Sequence, residues 1–128
     1  MNALRSLIAG TVVVATLAAC SGGGAAASVN PPSEADLTVD AEGNAFAQTT
    51  ITLAAGEPTQ LFFRNLDGQP HNIAIYTDAD ATESLFVGET ITDDVILYQI
   101  PTLEPGEYFF RCDVHPDMTG TMVVEEQP

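Results

Sequence analysis

The amino-acid sequence predicts an all-β fold, a Greek-key antiparallel β-sandwich, and three observations lead to that prediction. Apolar residues alternate with polar ones in several short runs, whereas no stretch shows a convincing 3.6-residue period. Turns rich in Gly and Pro separate these runs at the spacing typical of a small sandwich. Segment 103–108 also has the pattern of a tyrosine corner, in which the Tyr108 hydroxyl would hydrogen-bond to nearby backbone.

The predicted strands can be placed from this alternation. In chain order they are centred on Leu37 and Val39, on Ile51 and Leu53, on Leu61 and Phe63, and on segments 71–76, 94–100, 107–112 and 122–125. Side chains alternate between the two faces of a strand, so His71, Ile73 and Ile75 are expected to share one face. The pattern of segment 78–92 is irregular and does not predict its secondary structure; a short helix is one alternative.

Length, charge and residue counts exclude several classes of protein. The chain has 128 residues, enough for one domain. Its 18 Asp and Glu against 3 Lys and Arg give a net charge of -15, so the basic face needed for nucleic acid is missing. Two Cys are too few for a disulfide-dense scaffold or a four-Cys zinc site, and two His are too few for a trinuclear metal centre.

Residues 1–19 are predicted to be a lipoprotein signal peptide. Arg5 gives the N-terminus a positive charge, and the apolar run 7–19 is too short to span a bilayer. The run ends in Leu17-Ala18-Ala19-Cys20, which resembles a bacterial lipobox and implies lipidation at Cys20. An ordinary signal peptide with an adjacent Cys is the alternative. The lipobox predicts an extracytoplasmic protein, lipid-anchored to the membrane on the periplasmic side or at the cell surface.

The rest of the chain divides into a linker and one folded domain. Residues 20–35 contain three consecutive Gly, three consecutive Ala and Pro31-Pro32, a composition typical of a flexible linker. Residues 36–128 are predicted to form the folded domain, which is long enough to bury a core without disulfides.

The side chains that could bind a metal lie in one loop and one strand. Cys112, His115 and Met118 follow each other at three-residue intervals, and a tight loop can turn all three towards one point. His71 is expected to point inwards at the same end of the domain. Two imidazoles, one thiolate and one thioether form the ligand set of a blue-copper electron-transfer site with one copper ion. Each residue alone has an ordinary explanation, but the set uses the domain's only Cys and both of its His.

These residues and their surroundings resemble the cupredoxins, the small blue-copper proteins that include the plastocyanins, amicyanins and halocyanins. The resemblance covers residues 36–125, and the short Cys-x-x-His-x-x-Met spacing looks most like that of the amicyanins. The motifs that carry it are Gly56 before a Phe-rich strand, Phe63-Arg64-Asn65, Pro70-His71-Asn72, Pro105-Gly106-Glu107-Tyr108 and the loop 112–120.

The resemblance implies a role for several individual residues. It makes Met118 the axial ligand in preference to Met122, which follows the point where the last strand should begin. It gives Asn72 the role of tying the two ligand segments together, by a hydrogen bond to backbone near Cys112 that also tunes the sulfur; an ordinary turn Asn is the alternative. His115, flanked by Pro116, is implied to be the electron port.

The sequence therefore predicts an electron carrier that shuttles one electron between Cu(I) and Cu(II) and is not an enzyme. A copper-delivery or copper-sequestering lipoprotein is the alternative. Copper enzymes need further His, a binuclear site needs a second Cys where Pro116 stands, and an immunoglobulin-like adhesion module leaves the ligand set unexplained.

The expected partners are a redox donor and a redox acceptor for a monomeric protein. The acidic charge could steer a basic partner or could serve solvation in a saline habitat. Asp113 and Asp117, within the ligand loop, are expected to favour Cu(II).

Overall fold

The structure, a computed structural model, describes residues 30–128, and every regular element within that range is a β-strand. The predicted signal peptide 1–19 and Cys20 lie outside the described residues. Among residues 30–128, no helix is long and apolar enough to cross a membrane. The strands are β1 (Leu37–Glu42), β2 (Ala45–Phe46), β3 (Thr50–Ala54), β4 (Thr59–Asn65), β5 (Ala74–Tyr76), β6 (Ser84–Val87), β7 (Val95–Ile100), β8 (Gly106–Arg111) and β9 (Thr119–Glu125).

These strands form two sheets packed as a sandwich, which confirms the predicted fold class. One sheet has the order β2-β1-β4-β7 and the other β3-β9-β8-β5-β6. Most neighbours are antiparallel, but β1 pairs with β4 and β3 pairs with β9 in parallel. The first parallel pair arises because the chain crosses to the second sheet as β3 before it returns as β4. Each sheet is therefore mixed.

The core lies between the two sheets and is rich in aromatic side chains. The ring of Phe46 lies 5.1 Å from that of Phe110, and Phe63 stacks on Tyr98 at 5.6 Å. The first contact joins the two sheets, whereas the second lies within one sheet. Burying such rings is the main source of stability in a domain of this size. The fully buried core side chains are Val39, Ala41, Leu61, Phe63, Ile73, Ile75, Ile100, Phe110, Cys112 and Met122.

The predicted tyrosine corner is present at the start of β8. The hydroxyl of Tyr108 donates a hydrogen bond of 2.9 Å to the carbonyl of Glu104. This bond ties the loop between β7 and β8 to the strand that leads to Cys112.

Several parts of the chain differ from the predicted strands. The two-residue strand β2 was not predicted, and β9 begins at Thr119 rather than at residue 122. The strand predicted for 71–76 is reduced to β5, because His71 instead pairs with Ile91 in an isolated bridge. Both backbone hydrogen bonds of that bridge are 3.0 Å long. The segment 78–92 contains the strand β6 rather than a short helix. Strand β6 escapes prediction because its burial pattern does not alternate.

Candidate metal centre

The four predicted ligand residues lie on three segments at one end of the sandwich. His71 follows Pro70 before β5, Cys112 comes directly after β8, and His115 and Met118 belong to the loop that leads into β9. Two backbone hydrogen bonds of 2.9 Å close this loop: Cys112 N–H donates to Met118 O, and Met118 N–H donates to His115 O. The three-residue spacing thus produces a tight turn that starts and ends on paired neighbouring strands.

Three donor atoms meet at this end of the sandwich. Nδ1 of His71 lies 3.8 Å from Sγ of Cys112, Nδ1 of His115 lies 3.9 Å from the same sulfur, and the two nitrogens are 3.2 Å apart. A point equidistant from the three atoms lies about 2.1 Å from each, close to the bond lengths of about 2.0–2.3 Å that zinc takes to imidazole and thiolate. The triangle therefore fits a first-row metal ion.

Burial differs sharply among the four side chains. His71 and Cys112 are fully buried and Met118 is 2% exposed, whereas His115 is half-buried. His115 and Met118 line one shallow surface depression together with the exposed Pro116. Met122 lies within β9 opposite Tyr108, fully buried in the core and away from the loop. The structure thus brings His71, Cys112 and His115 together with Met118 in the same loop, and it places Met122 in the hydrophobic core.

Comparison with known proteins identifies the family. A family model of the cupredoxin-like domain matches residues 8–124 of the chain. Amicyanin from Paracoccus versutus is 33% identical over 103 residues, which cover 77% of this chain and 75% of that protein. The chain belongs to the cupredoxin family.

Solved structures agree with this assignment. The crystal structure of Paracoccus versutus amicyanin superposes with a TM-score of 0.58 at 34% identity, covering 79% of this chain and 89% of that one. Auracyanin from the photosynthetic bacterium Roseiflexus castenholzii superposes with a TM-score of 0.62, covering 70% and 95% of the two chains. Its identity is 19%, so that likeness concerns the fold alone.

The family and the donor set together establish the kind of protein this is. Thiolate, thioether and two imidazoles form a soft ligand set that suits copper. The cluster of His71, Cys112 and His115, with Met118 in the same hydrogen-bonded loop, is consistent with a type 1 site. Cupredoxins such as amicyanin and auracyanin are electron carriers and not enzymes. This cupredoxin is accordingly a blue copper electron-transfer protein.

Asn72 connects the two ligand segments of the cupredoxin site. Its Oδ1 accepts a hydrogen bond of 2.8 Å from the N–H of Asp113, the residue after Cys112. Its Nδ2 donates to the carbonyl of Gly88 at 3.0 Å, and the side chain is 2% exposed. The hydrogen bond lies where the resemblance places it, and its effect on the sulfur stays a prediction.

Sequence reasoning missed Asp67, which contacts a predicted ligand. The sequence Asp67-Gly68-Gln69-Pro70 indicates only a turn, yet the carboxylate oxygens of Asp67 lie 3.1 Å and 3.2 Å from Nε2 of His71. Burial alone would raise the pKa of Asp67, but hydrogen bonds from the Gln69 N–H, from His71 and from the Gly43 N–H outweigh burial and hold that pKa below its usual value. An acidic residue four positions before a candidate ligand was the available signal.

The negative charge of Asp113 is partly compensated, although the residue directly follows Cys112. Its Oδ1 accepts hydrogen bonds from the Tyr76 hydroxyl at 2.6 Å and from Nε of Arg111 at 3.1 Å. The hydrogen bond to Asp113, followed by burial, raises the pKa of Tyr76. Because Arg111 offsets the charge of Asp113, the exposed Asp117 is the loop carboxylate expected to act on copper or on a partner.

Proposed function

We propose that this cupredoxin carries one electron at a time through a mononuclear Cu(I)/Cu(II) centre held by His71, Cys112, His115 and Met118. The observation that carries the proposal is the triangle of donor atoms, with sides of 3.8 Å, 3.9 Å and 3.2 Å. A His₂Cys plane with a weak axial Met is the blue-copper arrangement. Met118 supplies the thioether from the same closed loop.

The chain contributes rigidity to this function. Cys112 and Met118 are joined by a backbone hydrogen bond of 2.9 Å, and the Asn72 side chain fixes the loop to the segment that carries His71. Buried and hydrogen-bonded ligands keep nearly the same positions in both oxidation states. When bound, copper supplies the one-electron redox chemistry. A site that moves little makes electron transfer fast because little reorganisation accompanies it.

Electron transfer is assigned to the face that carries His115 and Pro116. His71 and Cys112 are fully buried and Met118 is 2% exposed, whereas His115 is half-buried and Pro116 is exposed. The neighbouring Val114 is 44% exposed. The His115 ring therefore offers the shortest path from the buried donor atoms to a docked redox protein, and no bond needs to form or break for the electron to cross.

The cellular context of the proposal comes from the sequence. The lipobox that ends at Cys20 supports removal of the signal peptide 1–19 and attachment of lipid to Cys20, with 20–35 as linker and 36–128 as the cupredoxin domain. The protein then works outside the cytoplasm as a lipid-anchored monomer between membrane-associated redox proteins. More than one acyl chain would make this anchoring stable.

Copper loading of the full chain tests the proposed site. One equivalent of Cu(II) is expected to give an intense visible thiolate-to-copper absorption band. Cys112→Ser should abolish the band, whereas Cys20→Ser should leave it unchanged and abolish lipidation. A pale or colourless complex of the wild-type chain would rule out the blue-copper centre.

Electron carriage and copper delivery can then be separated by metal exchange. A carrier holds its copper through repeated reduction and oxidation in the presence of a Cu(I) chelator. Loss of the metal to the chelator in the first reduced state would instead favour a delivery or sequestration role.

A further inference from the structure

The carboxylate of Asp67 contacts the ring nitrogen of His71 that faces away from the other ligands. Its two oxygens lie 3.1 Å and 3.2 Å from Nε2, while Nδ1 of the same ring faces Cys112 and His115. We propose that Asp67 is a positioning residue with two effects. It fixes the tautomer of His71 that leaves Nδ1 free for the metal, and its charge favours Cu(II) over Cu(I). The second effect rests on the proposed copper function.

The hydrogen bonds to the Asp67 carboxylate determine which nitrogen of His71 carries the proton. Oδ1 accepts from the N–H of Gln69 at 2.8 Å, and Oδ2 accepts from the N–H of Gly43 at 2.7 Å. Backbone N–H groups can only donate, and an ionised carboxylate can only accept. The remaining partner, Nε2 of His71, must therefore donate, so in the neutral ring Nδ1 carries the lone pair.

Burial makes this contact the one that decides the orientation of the ring. His71 is fully buried, so water cannot compete for Nε2, while the Asp67 side chain is 21% exposed and keeps part of its hydration. Histidine ligands of metals almost always donate their second N–H to an oxygen acceptor, which fixes the ring and raises its basicity. A carboxylate in that position adds a full negative charge.

The same carboxylate also holds a neighbouring turn in place. Gly43 and Asn44, between β1 and β2, have φ angles of 61° and 57°, the left-handed pair of a tight hairpin turn. Asn44 lines the same surface depression as His115 and Met118. A loss of stability on changing Asp67 would therefore be ambiguous, and the decisive measurement must report on the metal or on the His71 ring.

Asp67→Asn separates charge from orientation. The amide oxygen can still accept from His71 and Gln69, while the amide nitrogen faces the Gly43 N–H and the negative charge is gone. Cu(II) affinity is expected to fall about 10–100-fold, the usual effect of losing such a partner. Cu(I) affinity should fall less, and each tenfold difference between the two affinities raises the reduction potential by about 59 mV.

Asp36→Asn is the matched control for this measurement. It removes the same charge from a carboxylate that accepts the Gln60 N–H at 2.7 Å near the start of β1, at the opposite end of the sandwich. The potential of this variant should match that of the wild type. Equal changes in Cu(II) and Cu(I) affinity in Asp67→Asn, or a potential unchanged from the wild type, would overturn the inference on charge.

The tautomer can be tested without copper. Nitrogen-15 NMR of the metal-free chain, well above the ordinary pKa of histidine, should show His71 protonated at Nε2 in the wild type and in Asp67→Asn. Asp67→Ala should populate the Nδ1–H form. A wild-type ring protonated at Nδ1 would overturn the inference on orientation, even if the proposed copper function held. Failure of the wild type to form a blue complex would instead remove the copper function and leave the tautomer result valid.

Discussion

Substituting Gly120 by Ala should destabilise the domain directly beneath the ligand loop. Gly120 lies in β9 opposite Phe110 of β8. A Cβ at position 120 would lie 2.2 Å and 2.5 Å from Cζ and Cε1 of Phe110 and 2.8 Å from the backbone oxygen of Thr49. Ordinary van der Waals contacts of a Cβ lie at 3.4–4 Å, so the ring would have to move by about 1 Å.

Neither neighbour can move easily. The Phe110 ring is fully buried and packs 5.1 Å from the ring of Phe46, and the Thr49 oxygen accepts a backbone hydrogen bond of 2.8 Å from Thr121. Overpacking of this kind costs about 1–3 kcal/mol. For a domain of this size the melting temperature falls by about 4–8 °C per kcal/mol, so a decrease of roughly 5–20 °C is expected.

Urea unfolding of the metal-free chain, followed by circular dichroism, measures this cost. Gly68→Ala is the control, because a Cβ there meets nothing within 4 Å and its backbone is outside the left-handed region. The control should be neutral or more stable by about 0.4–1 kcal/mol. Adding Phe110→Leu to Gly120→Ala should recover part of the loss relative to the sum of the single changes. A Gly120→Ala variant within about 0.5 kcal/mol of the wild type would refute the packing argument.

Three further predictions concern the site and its surroundings. Asn72→Ala leaves the Asp113 N–H without its partner and should lower the free energy of unfolding by about 1–3 kcal/mol in urea titrations; a change below about 0.5 kcal/mol would contradict this. Burial raises the pKa of Tyr98 well above its ordinary 10.0. Unfolding then releases a proton above about pH 10, so stability should fall there by up to about 1.4 kcal/mol per pH unit. Tyr98→Phe should make that slope shallower and leave the part that comes from Tyr76, whose pKa is also raised; equal slopes in both proteins would exclude the explanation. Asp117→Asn should slow electron transfer with a small basic redox protein about fivefold at low salt, since unit charges at contact in water gain about 1 kcal/mol. Glu57→Gln, at the opposite end, should not slow it, and equal stopped-flow rates for both variants would contradict steering at the His115 face.

The ligand cluster was predictable because its residue types are scarce and their chemistry does not depend on the fold. The folded domain contains one Cys and two His, and Met118 completes the spacing from Cys112. Strands with one buried face were equally clear: β3 alternates exposed and buried residues, with Ile51 and Leu53 inside. The period of two is a direct consequence of that one-sided burial.

Strands without one-sided burial were missed or shortened. All three residues of β5 are buried, β6 is exposed or half-buried throughout, and β2 has two residues. Apolar and polar residues do not alternate in such segments, so the sequence pattern cannot predict a strand there. The parallel pairing of β1 with β4 was also beyond the sequence, because it depends on the chain crossing between sheets rather than on a local turn.

Asp67 could not be assigned a role for a different reason. A turn of Asp-Gly-Gln-Pro accounts for an Asp on local grounds, because its side chain can accept the N–H two residues on, as it does from Gln69. The contact with Gly43 forms only when two loops are brought together by the sheet that contains β1 and β4, and the contact with His71 requires the particular fold of the loop between β4 and β5. The same carboxylate serves the turn and the contacts with His71 and Gly43. Because the turn alone explains an Asp at this position, the sequence gives no reason to expect the other contacts.

The arrangement of charge around the site depends on which carboxylates the two Arg side chains pair with. Within residues 30–128 the two Arg are both in ion pairs, Arg64 with Asp40 at 2.6 Å and Arg111 with Asp113 at 3.1 Å. Asp40 and Arg64 are direct neighbours across the parallel β1–β4 pair, so that pair also supports the sheet. Asp113, the carboxylate nearest the sulfur in sequence, is thereby compensated. Asp67 meets only hydrogen-bond donors, so its charge can act on the metal through His71. The same acidic excess thus divides into charges that hold the fold, charges that can act on the metal from Asp67 and Asp117, and surface charges that a partner would meet.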